Sequence, residues 1–157
     1  MAGLADSDDA DLRAVTEQLG HPPRGAFQVV VRDVDGRPLV IRNAPRLHDD
    51  TPMPTTYWLT GPQQVREVGR LESMGGVNQA EAAVDSTELQ AAHDRYAAER
   101  EAELRSDDGV PRPSGGVAGT RRGVKCLHAH YAYFLAGGDD PVGRWVDQQL
   151  RGATPGP

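Results

Sequence analysis

The chain has 157 residues, a formal charge of −6, 38% hydrophobic and 25% charged residues, and one cysteine. That length fits one domain, and a single cysteine excludes both an intramolecular disulfide and an all-cysteine zinc site. No run approaches the ~18 apolar residues of a membrane span, and the acidic first ten residues lack the apolar core of a signal peptide, so a cytoplasmic protein is expected.

Basic residues are almost all arginine, with Lys125 the one lysine. Residues 1–20 carry a net −4 and residues 109–125 a net +4. The overall acidity argues against duplex nucleic acid as a partner, because duplex binding relies on a broad basic surface. The local positive segment still suits a small anionic ligand or an acidic protein partner.

In chain order, Ser7 or an adjacent aspartate caps a first helix with Leu12, Val15 and Leu19 on one face, stopped by Gly20 and Pro22-Pro23. Residues 26–32 and 37–42, joined through Asp35-Gly36, predict a β-hairpin with a type I′ turn. Residues 44–54 hold three prolines and read as an extended loop turning near Asp49-Asp50, and 55–60 (TTYWLT) as a third strand. Pro62 opens a helix bearing Val65, Val68 and Leu71 that ends at Gly75-Gly76, and a short helix covers 77–84.

Asp85 with Glu88 resembles a capping box opening a helix over 86–104. Leu89, Ala92 and Tyr96 share one face of it, and Glu99, Arg100, Glu101 and Glu103 form a solvated one. Residues 105–123 form a Gly/Pro-rich loop long enough to be functional or disordered. Residues 124–136 are apolar nearly all round and predict a buried helix, and Asp140 caps a last helix with Pro141 at its first position and Val142, Trp145 and Val146 inward. The expectation is a single α+β domain over 1–150, with a small antiparallel sheet packed on helices and tails at 1–6 and 151–157.

The segments GVKCLHAHYAYFLAGGDDPVGRWV (123–146) and APRLHDDTPMPTTYWLTGP (44–62) resemble an uncharacterised family of high-GC Gram-positive bacteria, the domain-of-unknown-function family number five hundred and one. The resemblance covers roughly residues 20–150 and implies no catalytic residues. It associates the family by gene neighbourhood with septum formation and with an exopolyphosphatase, hence a link to cell division or polyphosphate metabolism. Some members carry cysteines in the hairpin and after the third strand, where this chain has Asp33, Asp35 and Gly61.

Three constellations offer chemistry. The glycine-rich basic loop Gly115, Gly116, Gly119, Thr120, Arg121, Arg122, Gly123 and Lys125 runs into a helix N-terminus, where free amides, the helix dipole and guanidinium groups together suit a phosphate or carboxylate. Its spacing is not that of a Walker A loop, and a solvated linker is the plain alternative. Cys126 and His130, four apart on the expected helix, could place two zinc ligands on one face while His128 points elsewhere, with His93, His48 or a carboxylate completing the shell. Buried core residues are the plain reading of that pair. Cys126 near a helix N-terminus, with Arg122 and Lys125 beside it and His128 or His130 as base, could instead be a nucleophile.

Tyr57-Trp58, Tyr131, Tyr133 and Phe134 read as packing aromatics, and His48-Asp49-Asp50 as a turn. The preferred expectation is a non-enzymatic binding or regulatory protein with an anion site at residues 115–125, drawn from Gly116, Gly119, Thr120, Arg121, Arg122 and Lys125, and no cofactor. The rival is an enzyme or metalloprotein using Cys126 with His128 or His130.

Overall fold

A computed structural model describes residues 8–104 and 109–153. Ser7, the expected tail at 1–6, and the last four residues of the tail expected at 151–157 lie outside these. The chain forms α1 (Asp9–Leu19), β1 (Phe27–Arg32), β2 (Pro38–Asn43), β3 (Tyr57–Leu59), α2 (Pro62–Ser73), α3 (Gly76–Ala83), α4 (Ser86–Glu101), α5 (Leu127–Leu135) and α6 (Pro141–Ala153). Among the described residues, six helices surround an antiparallel sheet of order β1-β2-β3, an α+β fold. Residues 151–153 belong to α6 rather than to a tail.

Local chemistry accounts for most boundaries. Asp8 accepts from Asp11 N–H and Asp85 from Glu88 N–H, each satisfying an orphan amide of a first helical turn. Gly20 closes α1 in the left-handed region at φ 82°, and Pro62 sits at the start of α2. The hairpin forms, with Gln28 opposite Arg42 and Val29 opposite Ile41. Its turn is not type I′, which needs positive φ at both central residues. Only Gly36 has positive φ there, because the Asp33 carboxylate accepts from both Asp35 N–H and Arg37 N–H and holds a longer turn.

The central strand is covered on both faces. Val40 joins Leu59, Val68, Leu127, Tyr131, Val142 and Val146 on the side of α2, α5 and α6, while its neighbour Ile41 packs with Val15 of α1 and Phe27. Adjacent residues of a strand point to opposite faces, so both being fully buried requires a layer on each side. Leu12, expected on the packed face of α1, is 42% exposed because the sheet meets the helix along Val15 and Leu19.

Arg100, expected on the solvated face of α4, is instead buried. It is 2% exposed and donates to the carbonyls of Pro54 (2.8 Å) and Gly115 (2.6 Å). This side chain ties two irregular segments to α4, and the glycine-rich loop is correspondingly packed. Val117, in a single 3-10 turn over Val117–Gly119, is fully buried against Tyr96, Ala129 and Tyr133. A Cβ on Gly116 would collide with His93, so glycine there serves close packing.

His93 is held neutral. Its Nδ1 accepts from Val117 N–H (3.1 Å), its Nε2–H donates to the Gly123 carbonyl (2.8 Å), and burial lowers its pKa from the ordinary value. The unfolded chain therefore takes up a proton below about pH 6.5 that the folded chain refuses, so this histidine contributes stability above that pH and withdraws it as pH falls. Urea denaturation at intervals from pH 7 to pH 5 should show that His93→Gln loses less stability on acidification than the wild type does. An equal loss in the two would refute the assignment.

Candidate functional site

Glu72 ends the apolar stripe Val65–Val68 of α2, four residues after Val68, and therefore reaches inward toward the start of α5. Its Oε2 accepts from Leu127 N–H at 2.9 Å, and Glu81 of α3 accepts from Val124 N–H at 2.7 Å. Two carboxylates thus occupy the amides where α5 begins. The helix consequently starts at Leu127, three residues later than the apolar run predicts, and Cys126 is its N-cap with extended backbone (φ −143°, ψ 117°).

That shift rearranges the candidate ligands. Cys126 lies outside the helix, so the four-residue periodicity that would pair it with His130 does not apply. His130 is fully buried and its Nδ1 meets Asp140 Oδ2 at 2.6 Å, within the core. The histidine expected to point elsewhere, His128, is the one beside Cys126. Single donor atoms of Glu72, Cys126 and His128 all lie within 4.8 Å of one another.

Hydrogen bonding fixes the orientation of that imidazole. A carbonyl can only accept, so the 3.0 Å contact of His128 Nε2 with Val65 C=O places a proton on Nε2. Nδ1 then faces Glu72 Oε1 at 3.1 Å and the half-buried Cys126. The hydrogen bond with Cys126 foremost, then the Val65 carbonyl and the Glu72 charge, raises the His128 pKa above its ordinary value, against burial. A carboxylate, a thiol and an imidazole lone pair converging this closely call for a cation between them, whether a proton or a metal ion.

Cys126 and His128 border an open cleft of about 270 Å³, whose other walls are Thr55, Tyr57, Trp58, Leu59, Val65, Ala118 and Ala129. Of the other candidates, Gly116 N–H donates to Thr120 C=O, and Thr120 N–H to Val117 C=O, which closes that loop on itself. Arg121, Arg122 and Lys125 are exposed. Asp33 and Asp35 stay at the hairpin tip with Arg37, and Gly61 is the N-cap of α2, against Leu39 and Gln64. None of these three joins the Cys126 cluster among the described residues. His48, Asp49 and Asp50 form a turn with Asp50 at φ 66°.

A family model described as "Protein of unknown function (DUF501)" matches residues 29–148. The chain belongs to this family. No curated protein and no solved structure matches it. The matched span of this DUF501 chain includes the whole Glu72–Cys126–His128 cluster and the cleft beside it. No helix among its described residues is long and apolar enough to cross a membrane. Sequence reading misses Glu72 and the Val65 carbonyl. The available signal is a glutamate placed in register with an apolar helical stripe, where a solvated residue has no reason to be.

Proposed function

We propose that this DUF501 protein is a metalloprotein in which Glu72, Cys126 and His128 hold a zinc-class divalent ion. The observation that carries this reading is the orientation of His128: Val65 C=O takes the Nε2 proton and leaves Nδ1 aimed at the other two donors. Backbone carbonyls orient zinc-bound histidines in this way. Thiolate, imidazole and carboxylate are all ordinary zinc ligands, and three protein ligands with an open fourth position is the pattern of a Lewis-acid centre rather than a closed structural one. Cys126 and His128, though not Glu72, border the cleft, and the open position is assigned to that side.

Calorimetric titration of the chelator-treated full chain with zinc should give one ion per chain. Glu72→Gln, Cys126→Ser and His128→Gln should each weaken binding by at least about tenfold, and bound zinc should protect Cys126 from iodoacetamide. Glu72→Gln keeps an oxygen for Leu127 N–H, which separates loss of a ligand from loss of the helix cap. Absence of stoichiometric zinc overturns the reading.

The N-cap position of Cys126 beside His128 favours a nucleophilic thiol as the second reading. Fast alkylation with no zinc bound would select it. An anion site at Arg121, Arg122 and Lys125 rests on their exposure alone, since Glu72 and Glu81 already use the amides of Leu127 and Val124. Phosphate-dependent thermal stabilisation lost in Arg121→Ala/Arg122→Ala would select that instead.

A further inference from the structure

The walls of the cleft indicate what occupies the open position. Thr55, Tyr57, Trp58 and Leu59 all border it. Side chains of successive strand residues point to opposite faces, so one cleft meets three in a row when it looks at the strand along its edge. β3 is the terminal strand of the sheet, bonded to β2 alone.

The ladder identifies which backbone groups face outward. Thr56 C=O accepts from Asn43 N–H, and Thr60 N–H donates to Leu39 C=O. In an antiparallel pair this direction alternates, so Thr56, Trp58 and Thr60 are turned toward β2 while Tyr57 and Leu59 are turned away. Thr56 N–H and Tyr57 N–H both meet the Tyr96 hydroxyl (2.6 and 3.1 Å), so α4 covers the edge at its Tyr57 end and Thr56 keeps only its carbonyl on β2. Tyr57 C=O with Leu59 N–H and C=O is then a short half-ladder without a strand partner. The residues that border the cleft outside β3 and Thr55 are Val65, Ala118, Ala129, Cys126 and His128.

We propose that the ligand of this centre is an extended peptide, which adds to β3 as a fourth strand and presents a carbonyl oxygen to the metal's open position. The inference rests on the metal reading above. A sheet edge recognises the main chain, whose alternating donors and acceptors match its own, and side chains of either face add only preference. The three residues of β3 and the cleft volume of about 270 Å³ limit this pairing to a short stretch.

The test uses the zinc-loaded full chain and three metal-binding probes: acetohydroxamate, benzohydroxamate and a capped dipeptide hydroxamate, compared by calorimetry. The dipeptide probe should bind at least about tenfold tighter than acetohydroxamate, the gain that main-chain hydrogen bonds and added burial supply together. N-methylation of its internal amide should remove most of that gain. Equal binding of the N-methylated probe, or benzohydroxamate matching the dipeptide, overturns the peptide assignment while the metal centre stands. A chain that takes up no zinc overturns both.

Discussion

Asp140→Ala should destabilise the protein by about 3–5 kcal/mol, the cost usual for removing one partner of a buried pair. Asp140 and His130 are both fully buried, and their Oδ2···Nδ1 contact of 2.6 Å joins α5 to the start of α6. The other carboxylate oxygen accepts from Val142 N–H (2.9 Å) and Gly143 N–H (3.2 Å), capping α6. Alanine therefore abandons two amides and an imidazole nitrogen where water does not reach them, each carrying its own desolvation penalty. Asp140→Asn keeps the capping oxygen and should lose less than half as much. Urea denaturation with an unchanged m-value measures both variants. An alanine variant within about 1 kcal/mol of wild type would show that the pair is not a keystone of this packing.

Tyr96→Phe comes next, with an expected loss of about 2–4 kcal/mol, since each unsatisfied buried donor costs about 1–3 kcal/mol. The Tyr96 ring packs edge-on against Tyr133 and Tyr57 at centroid separations of 5.0 and 6.0 Å, and phenylalanine preserves that packing. The hydroxyl is what changes. It accepts from Thr56 N–H at 2.6 Å and Tyr57 N–H at 3.1 Å, and holds β3 against α4. The same variant should raise amide hydrogen exchange at Thr56 and Tyr57 selectively, which a general loss of packing would not do. Exchange rising equally throughout the sheet would refute the role assigned to this hydroxyl.

The residues of the candidate centre show where sequence reading stops. Cys126 and His128 are visible as chemically competent residues, and the apolar run after them is visible as a core helix. Their pairing is not, because it depends on where α5 begins. Apolar periodicity starts that helix at 124 and so couples Cys126 to His130. Glu72 and Glu81, 55 and 43 residues away from the amides they bind, delay its start and turn Cys126 out of the helix. Arg100 carries the same lesson: the charge run on α4 reads as solvated, yet its guanidinium is needed inside by two loop carbonyls that no local pattern announces.

From the amino-acid order alone come the hairpin, the capped starts at Asp8, Asp85 and Asp140, and the glycine stop at Gly20. These depend on interactions within a few residues, which the chain carries wherever it is placed. Tertiary structure alone decided that Glu72, Val65, Cys126 and His128 meet, and that Cys126 and His128 share a cleft with β3. Such meetings follow from how helices and sheet settle around the shared core of Val40, Leu59, Val68 and Leu127, and local order has no term for that.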